Sequence, residues 1–216
     1  MRQVTGSNPM LSNKKVSIQL KLDGHSFSRD ILPTGVGNKD VIEVELLTLK
    51  STLVPAEFFE PELAEKYLWF AGIECSTDER PVWSNSVDGV VAVMALRCDI
   101  VNILHELYGD CIKYGSPLLQ TDNNDGRHLY IYNATDFAYF KLFDDRKLEF
   151  CEVLPTAGKD DILCHVERIS QEFHLTKFVI RLAGDNCDEV LTLLKQYHKV
   201  EVYRINLDGC NAACAS

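Results

Sequence analysis

The stretch from His128 to Pro155 reads HLYIYNATDFAYFKLFDDRKLEFCEVLP and decides the fold. It contains three runs rich in apolar and aromatic residues. Short polar breaks at 133–135 and 144–146 separate the runs. Strand-like runs joined by tight polar turns predict an antiparallel three-stranded meander.

The chain after this meander alternates between helical and strand-like periodicity. Asn186 and Glu189 have the spacing of a capping box at the start of the last helix. The order is therefore strand, strand, strand, helix, strand, helix, strand. The segments that follow the meander are a helix over 159–173, a strand over 178–182, a helix over 187–197 and a strand over 199–205.

The first half has nearly the same predicted order, which suggests a duplicated domain. The polar stretch TDNNDGR at 121–127 is the predicted boundary. We expect a loose tail over 1–15, a first domain over 16–126 and a second over 127–216. The first-half segments are strands over 16–22, 25–31 and 41–49, a helix over 61–70, a strand over 90–96, a helix over 99–108 and a strand over 112–120.

Composition excludes several classes of protein. The net charge of −10 argues against nucleic acid as a partner, because phosphate neutralisation needs clustered Lys and Arg. No apolar run is long enough to cross a membrane, and the N-terminus lacks the apolar segment of a signal peptide. We therefore expect a cytoplasmic protein whose 8 scattered cysteines are reduced thiols rather than metal ligands.

Four segments together resemble a bacterial domain-of-unknown-function family assigned to the actin-like ATPase fold. They are VSIQLKLDGHSFS at 16–28, STLVPAEFF at 51–59, KLEFCEVLP at 147–155 and FVIRLAG at 178–184. The resemblance implies an α/β fold with mixed sheets, in which two ribonuclease-H-like domains face each other across a cleft. It assigns no function.

In active members of the actin-like class, two strand–turn–strand loops of the form Asp-x-Gly hold the phosphates, and a late Gly-Gly pair makes room for the adenosine. Glycine lets backbone N–H groups approach phosphate oxygens, and Asp holds Mg²⁺ through water. Carried over to this chain, the resemblance implies the following nucleotide-site residues: Asp23, Gly24, Ser26, Asn133, Thr135, Asp136 and Gly184.

All three parts of this site depart from the pattern. Asp23 and Gly24 are adjacent, so the Asp-x-Gly spacing is lost, and the pair also fits a plain hairpin turn. The second loop has no glycine, and Gly184 stands alone where a pair is expected. We expect the two turns to face each other, with Asp23 and Asp136 adding negative charge and no Lys or Arg close by.

These departures predict a non-catalytic protein with a degenerate nucleotide site, no cofactor and an unidentified protein partner. Partner binding would use the interdomain cleft or an exposed sheet edge. The alternative is an ATPase or sugar-kinase-like phosphotransferase that binds ATP with Mg²⁺ through the residues above. A ribonuclease-H-like nuclease is a third hypothesis, which the acidic charge disfavours. No catalytic or metal-binding residue is assigned.

Overall fold

The fold is described by a computed structural model that covers residues 15–21, 32, 41–120 and 126–202. The predicted N-terminal tail up to residue 14, the Asp23-Gly24 turn, the strand over 25–31 and most of the predicted boundary lie outside these described residues.

The described part of the chain alternates strands and helices. The strands are β1 (Lys15–Lys21), β2 (Val41–Leu47), β3 (Ser51–Pro55), β4 (Glu79–Trp83), β5 (Val90–Arg97), β6 (Ile112–Gly115), β7 (Arg127–Asn133), β8 (Phe137–Asp144), β9 (Lys147–Pro155), β10 (Val179–Gly184) and β11 (Val200–Val202). The helices are α1 (Ala64–Phe70), α2 (Cys98–Tyr108), α3 (Lys159–Phe173) and α4 (Cys187–Leu194).

The second half forms a mixed five-stranded sheet in the order β11-β10-β7-β8-β9. The pairs β7–β8 and β8–β9 are antiparallel, so the predicted meander is confirmed. β10 runs parallel to β7, and β11 runs parallel to β10. The helices α3 and α4 pack their apolar faces on this sheet, where Ile162, Val166 and Val190 are buried with Phe140 and Ile180.

The ends of these helices differ in part from the prediction. α3 spans the predicted 159–173, and His174, which follows its last residue, adopts the left-handed conformation. α4 ends at Leu194 because the amides of Gln196 and Tyr197 bond to carbonyls three residues back, which tightens the last turn. The predicted capping box is wrong, since Asn186 has φ +50° and its side chain makes no cap hydrogen bond.

Within its described residues, the first half contains two three-stranded sheets. β1, β2 and β6 are all parallel in the order β1-β2-β6, and β3, β5 and β4 form an antiparallel sheet with β5 in the middle. β5 is covered on both faces, as its continuous apolar sequence predicted. Ala92, Met94 and Leu96 face the core under β1 and β2, and Val91, Val93 and Ala95 face the core under α1.

The two halves correspond differently from the prediction. The trio β1, β2 and β6 has the same parallel order as β7, β10 and β11. β2 was predicted as the third strand of a first-half meander, but its parallel register with β1 gives it the position of β10. The chain from β3 to β5 is therefore an insertion that has no counterpart in the second half. Its two ends meet where the amide of Ala95 donates to the carbonyl of Lys50 at 3.0 Å.

β6 is shorter than the predicted strand over 112–120. Pro117 has no N–H to donate to a ladder, and it opens a 3₁₀ turn over Pro117–Leu119. The Ser116 side chain caps this turn by accepting a hydrogen bond from the Leu118 amide. The end of the first half is thus a capped turn instead of an extended strand.

A buried cluster joins the two halves. Its apolar members are Leu47 and Leu118 from the first half and Ala134, Phe137 and Tyr139 from the second. Tyr139 is only 1% exposed. Its hydroxyl accepts a hydrogen bond from the Thr48 amide at 2.7 Å and lies 3.1 Å from the Thr48 carbonyl, to which it can donate. Burial raises the pKa of Tyr139, so the hydroxyl keeps its proton.

Removing the hydroxyl of Tyr139 should lower the unfolding free energy of the protein. Tyr139→Phe leaves the buried amide of Thr48 without its partner, which costs about 1–3 kcal/mol of unfolding free energy. Urea unfolding followed by circular dichroism measures this change. The control is Tyr197→Phe at a 62% exposed position, which should change stability by less than about 0.5 kcal/mol. Equal stability of the two variants would show that the Tyr139 contact does not hold the halves together.

Candidate functional site

The structure brings together four of the residues assigned to the nucleotide site. Asn133, Thr135 and Asp136 form the turn between β7 and β8, and Gly184 lies beside this turn because it pairs with Asn133 in the parallel β7–β10 register. Asp23, Gly24 and Ser26 lie outside the described residues. The described residues therefore include the turn that resembles the second phosphate loop and the glycine that resembles the adenosine position.

The backbone amides of the turn are occupied by bonds within the turn itself. The Ala134 amide donates to the Phe137 carbonyl at 2.9 Å, and the Asp136 amide donates to the Ala134 carbonyl at 3.0 Å. The Thr135 amide donates to Oδ1 of Asn133 at 3.3 Å. A phosphate-binding loop needs amides directed at the ligand. The three amides of this turn point to protein acceptors instead.

Glycine is required at position 184 because β10 and β7 approach closely there. Its φ is +97°, and a Cβ at this position would lie 2.0 Å from the Asn133 carbonyl oxygen. The Asp185 amide donates to that same oxygen at 2.8 Å, and Nδ2 of Asn133 donates to the Asp185 carbonyl at 2.8 Å. The glycine that resembles an adenosine-binding residue thus packs directly against the backbone of Asn133.

Side chains complete this closure. Oγ1 of Thr135 donates to Oδ2 of Asp185 at 2.8 Å, so the threonine hydroxyl is also engaged. Thr156, the residue after β9, also binds the turn. Its amide donates to the Asp136 carbonyl at 2.9 Å and its hydroxyl donates to the Thr135 carbonyl at 3.1 Å. The turn is therefore a fixed part of the sheet end.

One expectation about charge is wrong. Nζ of Lys21 lies 3.3 Å from Oδ2 of Asp136, although no Lys or Arg was expected close to this turn. Lys21 ends β1, two positions before Asp23. The contact could not be derived from sequence because it depends on how the two halves pack. It brings the end of β1 to the β7–β8 turn. Asp23 and Gly24 lie outside the described residues, so the predicted approach of the two turns stays a prediction.

Sequence reasoning missed a polar network between the halves. Nε2 of Gln19 donates to Oε2 of Glu45 at 2.8 Å and to the Tyr132 hydroxyl at 2.9 Å. Nε2 of Gln120 donates to Oε1 of Glu45, and Nζ of Lys141 donates to the Gln120 carbonyl. The only sequence signal was the alternation of β1 and β2, which left Gln19 and Glu45 on the polar face of each strand.

Burial controls the protonation of this network. It raises the pKa of Glu45, an effect that the hydrogen bonds from Gln19 and Gln120 and the charge of Lys141 partly offset. Burial, with the nearby Glu45 carboxylate, also raises the pKa of Tyr132 to about 12. The tyrosine hydroxyl therefore stays protonated at physiological pH.

Two adjoining cavities lie beside the network. The first, of about 320 Å³, is lined by Gln19, Glu43, Glu45 and Lys113 among others, and the second, of about 470 Å³, shares Lys113 and Tyr114 with it. Among the described lining residues of the first cavity, two carboxylates face one ammonium group. This balance does not suit a polyanionic ligand.

Other chemistry is sparse in the part of the chain that the structure describes. No group of three or more His, Cys, Asp or Glu residues is placed there to hold a metal ion. No helix of the described residues is long and apolar enough to cross a membrane. Burial raises the pKa of the Cys151 thiol to about 12, which keeps this cysteine protonated and unreactive.

Comparison with known proteins gives a family and a fold. A family model described as "Protein of unknown function (DUF3822)" matches residues 41–200. A Bacteroides thetaiotaomicron protein described as having an actin-like ATPase fold and unknown function superposes with a TM-score of 0.64 at 15% identity, covering 76% of this chain and 68% of that one. At this identity the similarity shows the fold alone. The predicted resemblance to a family of unknown function with an actin-like fold is thereby confirmed.

Two further solved structures are more distant. The PilM–PilN type IV pilus biogenesis complex gives a TM-score of 0.47 at 16% identity, covering 76% of this chain and 69% of that one. The cytoplasmic domain of EpsL, an inner membrane component of the Vibrio cholerae type II secretion system, gives 0.40 at 10% identity, covering 89% and 86%. No curated protein matches the sequence.

Adding a methyl group at Gly184 should destabilise the sheet end. Gly184→Ala combines left-handed strain with a 2.0 Å approach to the Asn133 oxygen, for an expected loss of about 3 kcal/mol in unfolding free energy. Gly72→Ala is the matched control, because Gly72 has φ +75° and nothing within 4 Å of the added Cβ. It should lose only about 1 kcal/mol. Equal losses in urea unfolding would mean that the contact with Asn133 contributes nothing.

Replacing Glu45 should change how stability depends on pH. Because burial raises the folded-state pKa of Glu45, its stabilising contribution is complete below the ordinary value of 4.5 and is lost as pH rises through the raised value. Glu45→Gln should therefore flatten the decline of unfolding free energy as pH rises above the ordinary value of 4.5. Glu189→Gln, at an exposed position on α4, should keep the wild-type slope. Parallel slopes for wild type and Glu45→Gln would contradict the inferred burial.

Proposed function

This chain belongs to the family described as protein of unknown function (DUF3822), and we propose that it is a non-catalytic protein of actin-like fold that acts by binding another protein. The proposal includes a degenerate nucleotide site and no cofactor. The observation that carries it is the closed turn between β7 and β8.

The closed turn removes the groups that phosphate binding requires. Nucleotide sites of this kind use backbone amides and hydroxyls as donors, and glycines keep side chains out of the way. In this turn the amides of 134–136 and the Thr135 hydroxyl all donate to protein acceptors. Binding a phosphate here would first require breaking these bonds, each worth about 1 kcal/mol.

The buried cluster that joins the two halves also supports a degenerate nucleotide site. A nucleotide between two domains needs an open cleft next to the phosphate loops. Ala134 of the turn is instead buried against Leu47 and Leu118 of the first half. The cleft is thus filled at this point by side chains whose exposure to water would cost about 25 cal/mol per Å².

We also propose that residues 16–126 and 127–216 are two ribonuclease-H-like domains. The support is the parallel trio that occurs in both halves, together with the antiparallel meander that continues it in the second. In the first half the insertion from β3 to β5 follows β2, so this domain is larger than its counterpart.

The alternative is an ATPase or sugar-kinase-like phosphotransferase that binds ATP with Mg²⁺. One observation favours it, namely the position of Lys21 beside Asp136. If the ion pair between Lys21 and Asp136 opened, the ammonium group of Lys21 would become available to a phosphate oxygen. Lys21 would then be the residue on which nucleotide affinity depends.

A thermal-shift titration distinguishes the two functions. We expect no rise in Tm at millimolar ATP with Mg²⁺, because the donors of the turn are occupied. A ligand at 100 times its Kd would stabilise the folded state by about 2.7 kcal/mol, which such a titration detects. An established ATP-binding protein of actin-like fold serves as positive control.

Two variants make the test specific. Ala134→Gly should not create ATP binding, since the amide at this position already donates to the Phe137 carbonyl. Lys21→Gln should leave the result unchanged. A rise in Tm for the wild type that disappears in Lys21→Gln would overturn the proposal in favour of the phosphotransferase or ATPase.

A further inference from the structure

Three large aromatic side chains project from one short segment of the insertion. Phe58 is 65% exposed, Trp69 is 64% exposed and Phe70 is 74% exposed. We refer to these three side chains as the α1 patch. Exposed aromatic residues that are close together mark interaction surfaces, because water solvates such rings poorly and they supply much of the binding energy in interfaces.

The α1 patch is held on a rigid support. The rings of Trp69 and Phe70 meet edge to face, with centroids 5.3 Å apart. The hydroxyl of Tyr67, one helical turn before Phe70, donates to the Phe58 carbonyl at 2.5 Å and accepts a hydrogen bond from the Glu60 amide at 3.1 Å. These contacts tie the backbone around Phe58 to α1, so the backbone that carries the patch need not be ordered when a partner binds.

Further aromatic rings contact one another around α1. The centroid of Phe59 is 5.9 Å from that of Tyr67 and 5.9 Å from that of Trp83. On the inner side of α1, Ala64 and Leu68 are buried against β5. The inner residues thus fix the helix, and the outer rings are left to make contacts with another molecule.

The charge around the patch is strongly negative. Residues 56–74 contain five glutamates and one basic residue, Lys66. The glutamates are all exposed, and they are Glu57, Glu60, Glu62, Glu65 and Glu74. An apolar surface surrounded by carboxylates is complementary to a segment that has apolar anchors flanked by Lys or Arg.

We propose that the α1 patch binds a basic amphipathic helix of another protein. This inference rests on the proposed function as a protein-binding module, and it specifies the surface and the chemistry of the partner. An amphipathic helix presents apolar side chains at i, i+3, i+4 and i+7 and can carry its basic residues alongside them.

The acidic surround argues against two other occupants. Anionic lipid surfaces attract basic segments and repel acidic ones, so a membrane is disfavoured. A second copy of this chain would bring two glutamate-rich surrounds together, and like charges across an interface cost several kcal/mol. The chain carries a net charge of −10, which adds to that repulsion.

Selection from a random-peptide display library on the intact protein tests the proposal. We expect enriched peptides to carry Lys or Arg together with apolar residues at helical spacing. Enrichment should be lost on Trp69→Ala/Phe70→Ala, whose substitutions are at exposed positions and should leave the urea midpoint unchanged. Tyr197→Ala removes an exposed aromatic side chain in the turn that follows α4 and should leave the selection unchanged.

An enriched peptide is then synthesised, labelled and titrated by fluorescence anisotropy. The double variant should weaken binding by at least about tenfold. Glu62→Gln/Glu65→Gln should weaken it several-fold at low salt and less at high salt, because screening reduces the attraction in the wild type.

Three outcomes of the peptide selection would overturn the proposal: selection that persists on Trp69→Ala/Phe70→Ala, enrichment of acidic or uncharged peptides, and no enrichment at all. A dimer in analytical ultracentrifugation that becomes a monomer in the double variant would assign the patch to a second copy and overturn the proposal as well.

The two proposals can fail separately. Mg-ATP binding with intact peptide selection would refute only the proposed lack of a nucleotide site. Failure of the selection without Mg-ATP binding would refute only the assignment of the patch.

Discussion

The hydroxyl of Tyr139 joins the two halves through a hydrogen bond with the backbone of Thr48. The contact is buried, so water could not take the place of the hydroxyl if it were removed. The hydroxyl accepts from the Thr48 amide, directly after β2, and lies in a cluster to which both halves contribute apolar side chains. An amide buried without a partner costs more than the hydrogen bond itself contributes, so this one contact fixes the position of β2 relative to β8. The polar network at Glu45 and the ion pair between Lys21 and Asp136 both span the halves, and their geometry depends on that position.

Sequence reasoning succeeded where structure is determined locally. The meander over 128–155 follows from alternating residues and tight turns, and α3 follows from its apolar stripe. It failed where distant strands pair. β2 lies parallel to β1, and parallel strands are not joined by a tight turn whose residues could reveal the pairing. The prediction therefore gave β2 the wrong position in the repeat. β6 was predicted too long because apolar residues continue beyond Pro117, whose missing N–H ends the ladder.

In the candidate site, too, sequence predicted the residues that are adjacent in the chain and missed the contacts between distant residues. The residues Asn133, Thr135 and Asp136 were correctly predicted to share a turn, because they are adjacent in the chain. The proximity of Gly184 to that turn came from the resemblance to a fold, and its physical role is a close approach to the Asn133 backbone. Lys21 and the Gln19–Glu45–Tyr132 contacts join residues far apart in sequence, and single-sequence periodicity carries no information about such pairs.

The insertion between β2 and α2 has a consequence for how this fold can diversify. Its two ends are joined by the hydrogen bond from the Ala95 amide to the Lys50 carbonyl, so the segment leaves and rejoins the scaffold at one point. Closing a loop at its base makes the entropic cost of changing its length small. Insertions or deletions near the outer surface of α1 would therefore leave the strand order of the parallel trio intact. The inner face of β5 is different, because Ala92, Met94 and Leu96 fill the core of the first half. Within this one segment, the fold should tolerate sequence change on the outer side, whereas packing opposes change on the inner side.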